Sequence, residues 1–98
     1  MHSFWLAQVS RPILDRMLQD LRDHGNTVEP MLIVPGPAVA GYSVQGSGIT
    51  ARVVYDPSNQ RACVTIEEKP WLVPVSYIEQ KVRESLKAAH VYNSQARG

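Results

Sequence analysis

The sequence predicts an α+β domain: an antiparallel sheet of three to four strands with two amphipathic helices packed on one face, in the order (β)-α-β-β-β-α. Three observations carry this expectation. An apolar stripe at 3.6-residue spacing lies near the N-terminus, and a second lies at the C-terminus. Between them, two runs alternate apolar and polar residues with the two-residue period of a sheet that buries one face.

The first element, "SFWLAQV", reads either as a short strand leading in or as extra helical turns kinked at Pro12, with the strand preferred. "SRPILDRMLQDLRDHG" is the first clear helix. Ser10 stands at the cap position, Pro12 in the first turn where a missing N–H costs nothing, and Gly25 where a left-handed residue closes the helix. Ile13, Leu14, Met17, Leu18 and Leu21 fall on one face, opposite Asp15, Arg16, Gln19, Asp20, Arg22 and Asp23.

Residues 26–38, "NTVEPMLIVPGPA", carry three prolines around "MLIV", which predicts a loop holding at most one short strand. Three strands follow: "VAGYSVQ", "ITARVVYD" and "RACVTIEE". Ile49, Ala51, Val53 and Tyr55 alternate with Thr50 and Arg52; Ala62, Val64 and Ile66 alternate with Cys63, Thr65 and Glu67. "GSG" at 46–48 makes a turn or bulge, and "DPSNQ" is turn chemistry, with Pro57 pre-set for the second position. The last helix is expected to start at Ser76, with Ser76 and Glu79 as a capping box. Its buried stripe is Ile78, Val82, Leu86 and Ala89, and Glu79 and Arg83 support the exposed side. The tail, residues 93–98, reads as frayed.

Size and charge narrow the function. Ninety-eight residues make a single domain, 1–98, that buries roughly two-thirds of its unfolded surface. Ten Lys and Arg against nine Asp and Glu give a net charge of +1, which exerts no long-range pull on nucleic acid or anionic membrane. One cysteine excludes an internal disulfide. The N-terminus lacks a basic n-region and a small-residue cleavage pattern, so the chain is assigned to the cytoplasm by default.

Motif by motif, no chemistry assembles. "GSGITA" matches the start of a dinucleotide fingerprint, but those glycines open a β-branched run instead of the helix that holds a pyrophosphate. "GYSVQ" lacks the final glycine of a nucleophile elbow, which leaves Ser43 a strand residue. His2, His24 and His90 are scattered, and none pairs with Cys63 at metal-ligand spacing. Cys63 reads as a structural thiol. Glu67 and Glu68 point to opposite faces of a strand. The expectation is therefore no enzyme, no catalytic residue, no cofactor and no metal.

What stands out is "EKPWLVPVSYIEQKVRES". Pro70 and Pro74 force Lys69 and Val73 into extended conformations just before a helix, so the stretch is an elbow. Trp71, Leu72, Val73 and Val75, with the Trp5 region, offer more apolar surface than such a connection needs. They form the candidate surface for a protein partner, unless Trp71 and Leu72 cap the end of the core. The alternative is nucleic-acid binding through Arg52, Arg61, Lys81, Arg83 and Lys87.

The order helix, three strands, helix over residues 10–90 resembles the double-stranded RNA-binding domain. That resemblance implies a lysine-rich grip at the start of the last helix, where this chain has "SYIEQK", with Glu79 in place of positive charge and only Lys81 nearby. As a whole, and in "KPWLVPVSYIEQKVRESL" above all, the chain is similar to small bacterial α+β proteins without an assigned activity. The reading that follows is a small non-enzymatic interaction module of a bacterium. It binds another protein in preference to nucleic acid, has no membrane attachment, and is monomeric or weakly self-associating.

Overall fold

Alternating strands with one apolar face need a cover, and the two amphipathic helices supply it. The computed structural model describes residues 2–31 and 40–97. The order is β1 (His2–Leu6), α1 (Arg11–Asp23), β2 (Thr27–Pro30), β3 (Ala40–Gly46), β4 (Ile49–Asp56), β5 (Arg61–Glu68) and α2 (Val75–Arg97). The strands form one antiparallel sheet in the order β1-β5-β4-β3-β2. The α+β class holds. The sheet has five strands among the described residues, where the sequence predicted three to four, and four of them lie between the helices.

The additional strand is β2. Thr27–Pro30 lies on the sheet edge, where Pro30 at its end removes no ladder bond that the sheet needs. "MLIV" is not that strand: Met31 follows it, and residues 32–34 lie outside the described residues. Val39 does too, so the strand expected over "VAGYSVQ" is described as Ala40–Gly46. At the other edge "SFWLAQV" resolves as strand β1, ending before Gln8, whose φ of 58° turns the chain toward α1.

Register explains the core. The rows Ile66–Ala51–Val44–Val28, Phe4–Val64–Val53–Tyr42 and Leu6–Ala62–Tyr55–Ala40 face the helices. Ile13, Leu14, Met17 and Leu18 of α1 and Ile78 and Ala89 of α2 are buried against this core. Leu21, Val82 and Leu86 pack on it half-buried. The opposite face carries Trp5–Cys63–Val54 and Ser3–Thr65–Arg52–Ser43.

Two local expectations change. Ser10 occupies the N-cap of α1, but its side chain makes no cap hydrogen bond. At α2 the capping box is replaced: the helix starts at Val75, and the Pro74 carbonyl accepts from the N–H of Tyr77 at 3.1 Å and of Ile78 at 3.4 Å. Ser76 is then inside the first turn, and Glu79 pairs with Arg83 at 3.3 Å instead of reaching back. At its other end α2 continues to Arg97. "GSG" makes the two-residue β3–β4 turn, with Ser47 and Gly48 at φ 53° and 78°, the type that follows sheet twist.

Candidate functional site

The elbow is a tight turn followed by a helix start. The Val73 N–H donates to the Pro70 carbonyl at 3.0 Å, which places Trp71 and Leu72 at the two corner positions of a four-residue turn. Corner side chains project away from the chord of the turn. Trp71 is accordingly 86% exposed and Leu72 73%. Val73 and Val75, past the corner, turn inward and pack half-buried against the core. The four predicted surface residues thus divide into an outward pair and an inward pair. Gly48 faces the Pro70 ring, and a Cβ there would meet Pro70 Cγ at 3.3 Å, so the elbow lies against the β3–β4 turn.

Trp5 does not join Trp71. It stands on the open sheet face, half-exposed, with the Arg61 guanidinium 4.3 Å from its ring centroid. Arg83 Nη2 donates to the Trp5 carbonyl at 3.3 Å, satisfying a backbone acceptor of the outer strand β1.

The cations proposed for nucleic acid occupy two sides of the molecule. Arg52 and Arg61 are on the open face, 3.3 Å from Glu67 and from Asp56 respectively. Lys81, Arg83 and Lys87 are on α2, which covers the other face. Lys81 lies 3.7 Å from Glu84 and over the Tyr77 ring, and Arg83 is held by Glu79 and Trp5. Lys87 is exposed beside Glu84 and Tyr92 around a shallow depression. The five do not converge on one groove.

The feature that the sequence reading missed is a cavity of about 320 Å³ between the helices and the sheet. Its floor includes Ala51 and Ala62, small residues at inward strand positions, with Val53 and Val64 beside them. Its roof is Leu14, Met17 and Leu18 of α1 with Ile78 and Val82 of α2. The polar lining sits at the end where α1, the β3–β4 turn and α2 meet: Asp20, His24, Asn26, Ser47, Lys81 and Ser85. A closed, empty void of that volume would cost about 8 kcal/mol, the order of the whole stability of a domain this size. The signal available in the sequence was the pair of alanines facing two helices.

Asp56 is buried; its carboxylate accepts from Asn59 Nδ2 at 2.8 Å and from Arg61 Nε at 3.3 Å. The Asn59 side-chain hydrogen bond, with help from Arg61, holds its pKa below the ordinary carboxylate value. Cys63 lies half-buried on the open face between Trp5 and Val54. Among the described residues no three His, Cys, Asp or Glu side chains gather to hold a metal. Among the described residues no helix is long and apolar enough to cross a membrane. Comparison with known protein families, with characterised proteins and with solved structures finds no match.

Proposed function

We propose that the chain is a non-enzymatic protein-interaction module whose partner surface is the elbow, with Trp71 and Leu72 as its anchors. The observation that carries this reading is their joint exposure, 86% and 73%, at adjacent corners of one tight turn. Burying a large apolar side chain stabilises an association by about 1.5–3 kcal/mol, and tryptophan is favoured among residues that dominate interfaces. The turn is braced by the Pro70–Val73 hydrogen bond and by Pro70 against Gly48, so little ordering entropy opposes docking. A partner offering an apolar pocket for one indole and one isobutyl group fits this pair.

The test uses a Trp5→Phe background, in which Trp71 is the sole tryptophan. Its emission is expected to be fully quenchable by acrylamide. Trp71→Ala in that background should lose capture of the partner from native lysate while unfolding within about 0.5 kcal/mol of its parent. Protected emission together with a loss of about 3–5 kcal/mol would return Trp71 to the core and end this reading.

A further inference from the structure

We infer that the cavity between the sheet and the two helices is a binding site for a neutral single-chain amphiphile: an apolar tail of roughly ten to twelve carbons with a hydroxyl head at the rim. This goes beyond the elbow and does not depend on it.

Volume sets the size of the tail. A cavity of about 150 Å³ holds one benzene ring, and this one is about 320 Å³. Shape sets its form. Lining residues run along the sheet from Ile49 at the start of β4 to Ala62, which pairs with Tyr55 near the end of β4. Six residue-to-residue steps of strand span about 20 Å. That length along the strands accommodates an extended chain.

The rim decides the head group. Both of its permanently charged groups already have partners. Asp20 Oδ2 accepts from Ser85 Oγ at 3.2 Å, and its Oδ1 lies 3.6 Å from His24 Nδ1. Lys81 Nζ lies 3.7 Å from Glu84. An anionic head would meet Asp20 and Glu84, and a cationic one would meet Lys81. A hydroxyl is the head that gains hydrogen bonds at this rim, accepting from Ser47 or donating to Ser85 Oγ, whose own proton stays on Asp20, without separating a pair.

The experiment is displacement of N-phenyl-1-naphthylamine, an uncharged fluorescent probe, from the intact chain. The probe should bind with enhanced emission. 1-Decanol should displace it at concentrations about tenfold lower than decanoate or decylamine require. Ala51→Leu and Ala62→Leu fill the floor, and each should weaken probe binding about tenfold or more without lowering the melting temperature. Trp71→Ala should bind as wild type does, which separates this site from the elbow. In methyl NMR spectra of the wild type, 1-decanol should shift the resonances of Ala51, Val53 and Val82 and leave Leu72 unmoved, a reading that stands even where a filled variant fails to fold. No probe binding, decanoate binding as tightly as decanol, or shifts confined to Leu72 would each overturn the inference.

Discussion

At the scale of single residues, buried polar atoms hold the chain where hydrophobicity alone does not specify a path. Val9 is fully buried between β1 and α1, and its backbone is tied at both polar atoms. Its N–H donates to the Gln60 carbonyl at 2.7 Å, and its carbonyl accepts from the Tyr55 hydroxyl at 2.9 Å. Tyr55→Phe keeps the ring and strands that carbonyl, so it should cost about 1–3 kcal/mol in denaturant unfolding. An unchanged midpoint would mean that water replaces the hydroxyl. Asp56 makes a prediction of the other kind. Its acidity is strengthened in the folded state, from an ordinary value of 3.8, first by Asn59 and then by Arg61. The unfolded chain therefore binds the proton more readily. The stabilisation is complete above the unfolded value and fades as pH falls through the folded one. The melting-temperature advantage of wild type over Asp56→Asn should be flat near neutrality and shrink below about pH 4. A gap that stays constant down to about pH 2 would show that the carboxylate's charge is not what matters.

At the scale of elements, junctions decide more than propensities do. Gly46, at the end of β3, faces Asn26 just past α1. A Cβ there would lie 2.9 Å from Asn26 Cγ and 3.4 Å from its Cα. Asn26 has little freedom to move, because its Nδ2 and its N–H both donate to the Leu21 carbonyl at 3.0 Å. Gly46→Ala should thus push β3 from the end of α1 and cost about 1–3 kcal/mol, whereas Ser76→Ala, an exposed change inside the first turn of α2, should stay within about 0.5 kcal/mol. Thermal unfolding of the two variants side by side checks both. This contrast also marks what the sequence disclosed. The strands at Ile49–Asp56 and Arg61–Glu68 were legible because each alternates over its full length. The four-residue β2 was not, since an edge strand ending in proline carries too few positions to show a period. The capping box was plausible chemistry at the wrong place, because the Pro74 carbonyl had already begun the helix.

At the scale of the whole molecule, the pairing of β1 with β5 closes the sheet across the chain, joining residues such as Phe4 and Val64. No local pattern announces such a pairing, so the strand order was beyond reach. The candidate site was legible only in part for a related reason. Periodicity assigns faces to helices and strands but not to a turn, so it could not tell that Trp71 and Leu72 point out while Val73 and Val75 point in. The cavity was invisible because its walls come from six elements. Its position has a dynamic consequence. β4 is paired on both sides and lies at the centre of the sheet. The side of α2 toward the sheet spans the cavity, with Val82 only half-buried between the buried Ile78 and Ala89. A helix anchored across a void loses less on opening than a central strand does, so α2 should open first, as a unit, while the sheet stays intact. Native-state hydrogen exchange should then find the interior amides of α2 less protected than those of Val53 and Val64, by about one to two orders of magnitude. Ala62→Leu, which fills the floor beneath that helix, should narrow the difference by slowing exchange in α2 without slowing it in β4. Equal protection of α2 and β4 in the wild-type chain would mean that the helix and sheet open only together, and that the void does not loosen their contact.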